Sequence, residues 1–148
     1  MNVQRRALGS AALALALVGC SSFETDWKST VRNPTPTNDI SGAWIGTWQN
    51  TNNDHGNQLR AVVRRTGVHQ WQAHFHAHYG QLLTFAYRIR LNGEERDGRV
   101  QFTGEENLGW WVGGLFRYVG EASPTNFFST YENKYDSGTF TLHRPETK

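Results

Sequence analysis

The segment Trp71-Gln72-Ala73-His74-Phe75-His76-Ala77-His78-Tyr79-Gly80-Gln81-Leu82-Leu83-Thr84-Phe85-Ala86-Tyr87-Arg88-Ile89-Arg90-Leu91 decides the fold. Each half alternates apolar or aromatic residues with more polar ones at every second position, the period of a strand with one buried face. A one-residue slip would send every side chain to the wrong side, so the halves fit together in only one nearby register. Pairing Tyr79 with Leu83 sets Ala77 opposite Phe85, Phe75 opposite Tyr87, Ala73 opposite Ile89 and Trp71 opposite Leu91, a continuous buried face. The turn is then Gly80-Gln81-Leu82. The other face pairs His78 with Thr84, His76 with Ala86, His74 with Arg88 and Gln72 with Arg90. Arg60 and Arg64 of the preceding strand extend it into a basic, exposed and partly protonatable surface.

The same alternation runs outward in both directions, from Ile40 to Pro145, broken about every ten residues by turn residues such as Thr66-Gly67, Asn92-Gly93, Asp97-Gly98 and Asp136-Ser137-Gly138. Strands are predicted at Ala43 to Gln49, Gln58 to Arg65, His69 to Tyr79, Leu83 to Asn92, Arg99 to Glu106, Trp110 to Glu121, Phe127 to Tyr131 and Ser137 to His143. Consecutive antiparallel strands with short links close most economically into an up-and-down barrel, which leaves no exposed edge. The predicted fold is therefore all-β, a small eight-stranded antiparallel barrel over residues 40–145. Gly104, Gly109, Gly113, Gly114 and Gly120 suit its bends.

Upstream, residues 1–19 have the three parts of a secretory signal peptide: basic Arg5 and Arg6, an uncharged run from Ala7 to Val18, and a small residue before Cys20. The run is too short for a membrane-spanning helix, which needs about 20 residues. Leu17-Val18-Gly19-Cys20 resembles the lipobox of bacterial lipoproteins. That resemblance implies acylation of Cys20 and cleavage on its N-terminal side, so that the lipid anchors the protein stably to a membrane. Ser21 and Ser22 after the cysteine favour the outer membrane, facing the periplasm. From Ser21 to Asp39 the chain is polar, carries Pro34 and Pro36, and reads as a flexible tether of about 25 Å root-mean-square span, with Phe23 and Trp27 exposed to solvent.

Composition excludes several classes. The 148 residues contain one cysteine, so no disulfide framework is available within the chain. Removing the signal peptide takes Arg5 and Arg6 away and leaves 13 basic and 13 acidic residues, a balance that argues against a nucleic-acid partner. The expected state is a monomer. Nucleophilic catalysis lacks its usual sequence settings: there is no Gly-x-Ser-x-Gly, no His-Glu-x-x-His and no phosphate-cradling glycine loop. Glu94-Glu95 and Glu105-Glu106 are adjacent, so each pair splits between opposite faces of a strand. A zinc site on the histidine strand is disfavoured because His74 and His78 stand about 13 Å apart and no carboxylate flanks them in the register. No metal and no cofactor is expected.

Two readings of the barrel remain open. In one, an interior lined by Trp44, Trp48, Phe75, Tyr87, Phe102, Phe116 and Tyr118 accepts a small apolar ligand near the membrane. In the other, those aromatics fill the core, and the role is structural or lies in protein interaction or in recognition of an anionic envelope component. His55, His76, Arg60 and Arg88 form a candidate polar site, and a hydrolase using His55 or His76 is the remaining alternative.

Gly42-Ala43-Trp44 resembles the Gly-x-Trp opening of lipocalin-type (calycin) barrels. The resemblance implies that this Trp closes the barrel floor and that a late arginine packs on it, a place taken here by Arg144; the C-terminal helix usual in that family is missing. Trp44-x-Gly46-Thr47-Trp48, His55-Gly56, Leu59-Arg60-Ala61, Leu108-Gly109-Trp110, Gly113-Gly114-x-Phe116-x-Tyr118-x-Gly120 and Gly138-Thr139-Phe140 are similar to the shared pattern of a family of small bacterial secreted lipoproteins of uncharacterised activity. That similarity implies a fold and an envelope location and transfers no catalytic residue.

Overall fold

The computed structural model describes residues 22–34, 38–52 and 56–146. Eight strands, β1 (Gly42–Asn50), β2 (Gly56–Gly67), β3 (Gln70–Tyr79), β4 (Leu83–Arg96), β5 (Arg99–Asn107), β6 (Leu115–Ala122), β7 (Asn126–Glu132) and β8 (Ser137–His143), form one sheet. They pair in sequence order, every pair antiparallel, and β8 returns to β1 to close the barrel. The β3–β4 register is the one the side-chain pattern demands, with Tyr79 opposite Leu83, Phase-matched pairs Phe75–Tyr87 and Ala73–Ile89 between, and Trp71 opposite Leu91. At the β4–β5 turn both Asp97 (φ 52°) and Gly98 (φ 74°) adopt left-handed backbone, the requirement of a two-residue hairpin whose twist matches its strands.

Two segments differ from the sequence expectation. Trp110–Val112 is a single 3-10 turn and β6 starts only at Leu115. The Trp-Trp-Val run has strand-like composition, but Gly109, Gly113 and Gly114 around it take φ of 103°, 113° and 76°, so the chain turns where a strand would continue. The second correction concerns the tether. Residues 22–32 form a helix, α1, laid on the outer wall of β2 and β3. Phe23 is fully buried and contacts the rings of His74 and His76, with centroids 5.0 and 4.9 Å away. Phe23, Trp27 and Thr30 share one face at helical spacing, and burying it offsets the entropy of ordering a polar segment.

The barrel interior has two halves. At the floor, where β1 begins and β8 ends, Ile40, Trp44, Trp71, Leu91, Val100 and Phe127 are buried. Trp44 Nε1 donates to the Ile40 carbonyl at 2.9 Å, and the Arg144 guanidinium lies 3.9 Å from the centre of the Trp44 ring. Arg144 also donates to the carbonyls of Asp39, Ser41, Ala43 and Pro124, fixing the chain that enters β1. The floor pairing expected from Gly-x-Trp is present. The opposite end, where β1, β3, β5 and β7 finish, forms the mouth, which is open among the described residues.

Candidate functional site

The mouth opens into a cleft of ≈ 630 Å³ lined mainly by apolar and aromatic side chains. Strand alternation positions its walls: Trp48 from β1, Ala77 from β3, Phe85 and Tyr87 from β4, Phe116 and Tyr118 from β6, Tyr131 from β7 and Phe140 from β8. Trp48 stacks on Tyr79 with centroids 5.8 Å apart and planes within 6°, while its Nε1 donates to the His78 carbonyl at 2.8 Å. Trp111 of the 3-10 turn leans over the opening toward Phe85, 6.2 Å away between centroids.

A small polar group sits within this apolar wall. The Tyr87 and Tyr118 hydroxyls lie near each other in the wall, and Tyr131 Oη donates to Asp136 Oδ2 at 3.4 Å. Asn50 Nδ2 donates to the other Asp136 oxygen, and Asn133 Oδ1 accepts from the Asp136 backbone N–H at 2.6 Å. Burial pushes all three phenols above the ordinary tyrosine pKa, reinforced at Tyr131 by the nearby Asp136 charge. They stay protonated at neutral pH, which equips the cleft with neutral hydroxyls for a ligand's polar end.

The structure divides the seven interior residues singled out from the sequence. Trp48, Tyr87, Phe116 and Tyr118 line the cleft, whereas Trp44 and Phe75 belong to the packed cluster beneath it. Phe102 joins that packed cluster as well. Sequence reasoning missed Phe85, Trp111, Tyr131, Asp136 and Phe140 as cleft residues. The available signals are the Trp pair between glycines and the alternation that puts Tyr131 and Phe140 on the inner face.

The candidate polar site is not a single constellation. His55 and Cys20 lie outside the described residues. Arg88 is exposed on the outer face opposite His74, and Arg60 and His76 lie beneath α1. The expectation of an exposed basic face is corrected here, because α1 covers its centre: His74 and His76 retain 3% and 5% of their exposure. Glu24 pairs with Arg60, Asp26 pairs with Arg64, and His74 Nδ1 lies 3.0 Å from Asp26 Oδ2, the ring N–H donating to the carboxylate. The Arg60 guanidinium stands 5.1 Å from the centres of both the Phe23 and Trp27 rings. Burial, with the Arg60 charge adding to it, depresses the His76 pKa to about 4. The neutral ring accepts a contact from Arg60 Nη2 at 3.4 Å.

Among the described residues no three His, Cys, Asp or Glu side chains converge as metal ligands, and no helix is long and apolar enough to cross a membrane. No protein-family model and no curated protein matches this chain.

Proposed function

We propose that the protein is a lipid-anchored binding module of the cell envelope, whose barrel takes up a small apolar ligand with a polar end. The carrying observation is the aromatic cleft with the Tyr87, Tyr118 and Tyr131 hydroxyls in its wall. A space of this size suits a ligand of modest dimensions, and apolar walls with a few placed hydroxyls supply both affinity and orientation. The lipobox-like Leu17-Val18-Gly19-Cys20 supports acylation at Cys20 and an outer-membrane location facing the periplasm, with the protein acting as a monomer. The ligand would then enter from, or leave to, the adjacent membrane. Recognition of an anionic envelope component by the outer wall is less favoured, because Glu24 and Asp26 already neutralise Arg60 and Arg64. A hydrolase centred on His76 is disfavoured in the same way, since substrate has no access to a ring held under Phe23.

The test is uptake of a fluorescent fatty-acid probe by the wild type and by Trp48→Ala. Binding that weakens tenfold or more in a variant that remains folded supports the cleft. Undiminished binding in a strongly destabilised variant assigns Trp48 to a filled core and leaves a structural or protein-interaction role. Native mass spectrometry of protein from its own membranes reads the anchor and any co-purifying ligand in one measurement.

A further inference from the structure

The exposed apolar residues are concentrated at one end of the barrel. Tyr79, Leu82, Leu83, Trp110, Trp111 and Tyr135 are 53%, 93%, 57%, 90%, 64% and 72% exposed. All of them lie at the mouth, on the β3–β4, β5–β6 and β7–β8 links or the strand ends beside them. Away from the mouth, the exposed large apolar residues are Val31, Val68, Val119 and Phe128, on α1, the β2–β3 link and the β6–β7 wall. Tryptophan, tyrosine and leucine on protruding turns are the side chains that partition into the headgroup boundary of a bilayer.

The direction of α1 supplies an independent observation. β2 runs from the mouth at Gly56 to the floor at Gly67, so Arg60 stands nearer the mouth than Arg64, by about 13 Å of strand. Glu24 pairs with Arg60, whereas Asp26 and Thr30 meet Arg64. The helix therefore points its amino end toward the mouth and its carboxyl end toward the floor. Cys20 precedes the helix by two residues, which reach at most about 7 Å. The end of α1 that leads back to Cys20 is thus the end that faces the mouth.

We infer that the barrel docks mouth-down on the bilayer, its aromatic rim seated in the headgroup layer of the membrane that holds the Cys20 lipid. This orientation rests on the anchoring proposed above and adds to it a geometry: the cleft faces the lipid, so an apolar ligand passes between membrane and barrel without crossing water. A tether of free coil would impose no orientation. A helix clamped to the wall by Phe23 and two ion pairs does, because the anchor and the rim then share one side of the molecule.

The test uses the protein purified from its own membranes and reconstituted into phosphatidylcholine vesicles with or without bromine atoms near the headgroup end of the acyl chains. Bromine quenches tryptophan emission only on close approach. The expected result is a loss of emission in the brominated vesicles that largely disappears in the Trp110→Ser, Trp111→Ser double variant. Leu82→Asp, at a protruding turn position outside the cleft lining, is expected to reduce the quenching while leaving fatty-acid probe uptake at the wild-type level. Equal emission from plain and brominated vesicles overturns the orientation, as does quenching that survives both sets of substitutions. The mass of the N-terminal peptide separates the two ideas: an unacylated Cys20 removes the anchoring and the orientation together, whereas an acylated Cys20 without quenching removes the orientation alone.

Discussion

The two ends of the barrel are built from the same residue types with opposite outcomes. At the floor, Trp44 has no exposed surface, a satisfied indole N–H and an arginine over its ring. At the mouth, Trp48 also has a satisfied N–H and a stacking partner, yet one side of it borders an open cleft. The floor receives a chain segment, residues 39–41, pinned by Arg144 and plugged with Ile40; the mouth receives a turn of exposed tryptophans, with no such plug among the described residues. Aromatic content therefore sets how much apolar surface a barrel can bury, while the chain's entry and exit decide which end is filled.

Truncating Trp44 is the largest expected perturbation of that contrast. Trp44→Ala removes a fully buried indole, leaves the Ile40 carbonyl and the Arg144 face without partners, and is expected to cost about 3–5 kcal/mol in a urea or thermal unfolding curve. Trp48→Ala should cost less stability and more probe affinity. Equal stability losses at the two positions, with no change in probe affinity, would make the ends equivalent and the cleft incidental.

Acid sharpens the contrast by acting on the outer wall and sparing the cleft. The His76 pKa falls from 6.5 to about 4 through burial and the Arg60 charge, and His74 is lowered by burial, against the pull of Asp26. Between the two His76 values the unfolded chain binds more protons than the folded one. Stability is then full above about pH 6.5 and declines as pH falls toward 4, by about 3 kcal/mol at most for His76. Glu24, lowered mainly by its hydrogen bond to Arg60, adds loss of the same sign at still lower pH. So does Asp26, where hydrogen bonds from His74 and Arg64 outweigh burial. The cleft phenols titrate in the alkaline range, so probe affinity of the folded protein should stay level from roughly pH 5 to 8. Phe23→Ala is the control: amide exchange across residues 22–32 should become fast while the barrel strands keep their protection, and the acid slope should shrink as the histidines reach water. A pH slope unchanged in Phe23→Ala would place its origin elsewhere.

Much of the barrel was legible because its information is local and periodic. The β3–β4 register follows from two alternating runs that fit in only one way, and the Trp44–Arg144 contact follows from the Gly-x-Trp resemblance. Helix α1 was not legible by the same means, because its apolar face consists of little more than Phe23 and Trp27 within a polar, proline-flanked stretch. Its signals lay in two places at once: Val62, an apolar residue between Arg60 and Arg64 on an otherwise polar face, and the acidic Glu24 and Asp26 that complement those arginines. Val62 is 1% exposed, buried from outside the barrel by the helix. Similarly, the cleft could not be separated from the packed half by residue type, since Trp, Tyr and Phe line both. That difference comes from where Ile40 and Arg144 enter, which is a property of the closed chain.

The smallest expected effect is also the most specific to the ligand. Tyr87→Phe keeps the ring in the cleft and removes the hydroxyl that lies beside that of Tyr118. A neutral hydrogen bond contributes about 1 kcal/mol, so stability should change little and affinity for a probe whose polar end engages this hydroxyl should fall by roughly tenfold at most. A purely apolar probe of similar size has nothing to lose at this position and should bind at least as well to the variant. Comparing the two probes on the same pair of proteins therefore reads orientation directly. Equal losses for both would mean that the substitution perturbs the wall of the cleft, and equal affinity for both would place the polar end of the ligand at the rim. Only a selective loss for the polar-ended probe places it beside Tyr87 and Tyr118, with its apolar body extending toward the mouth.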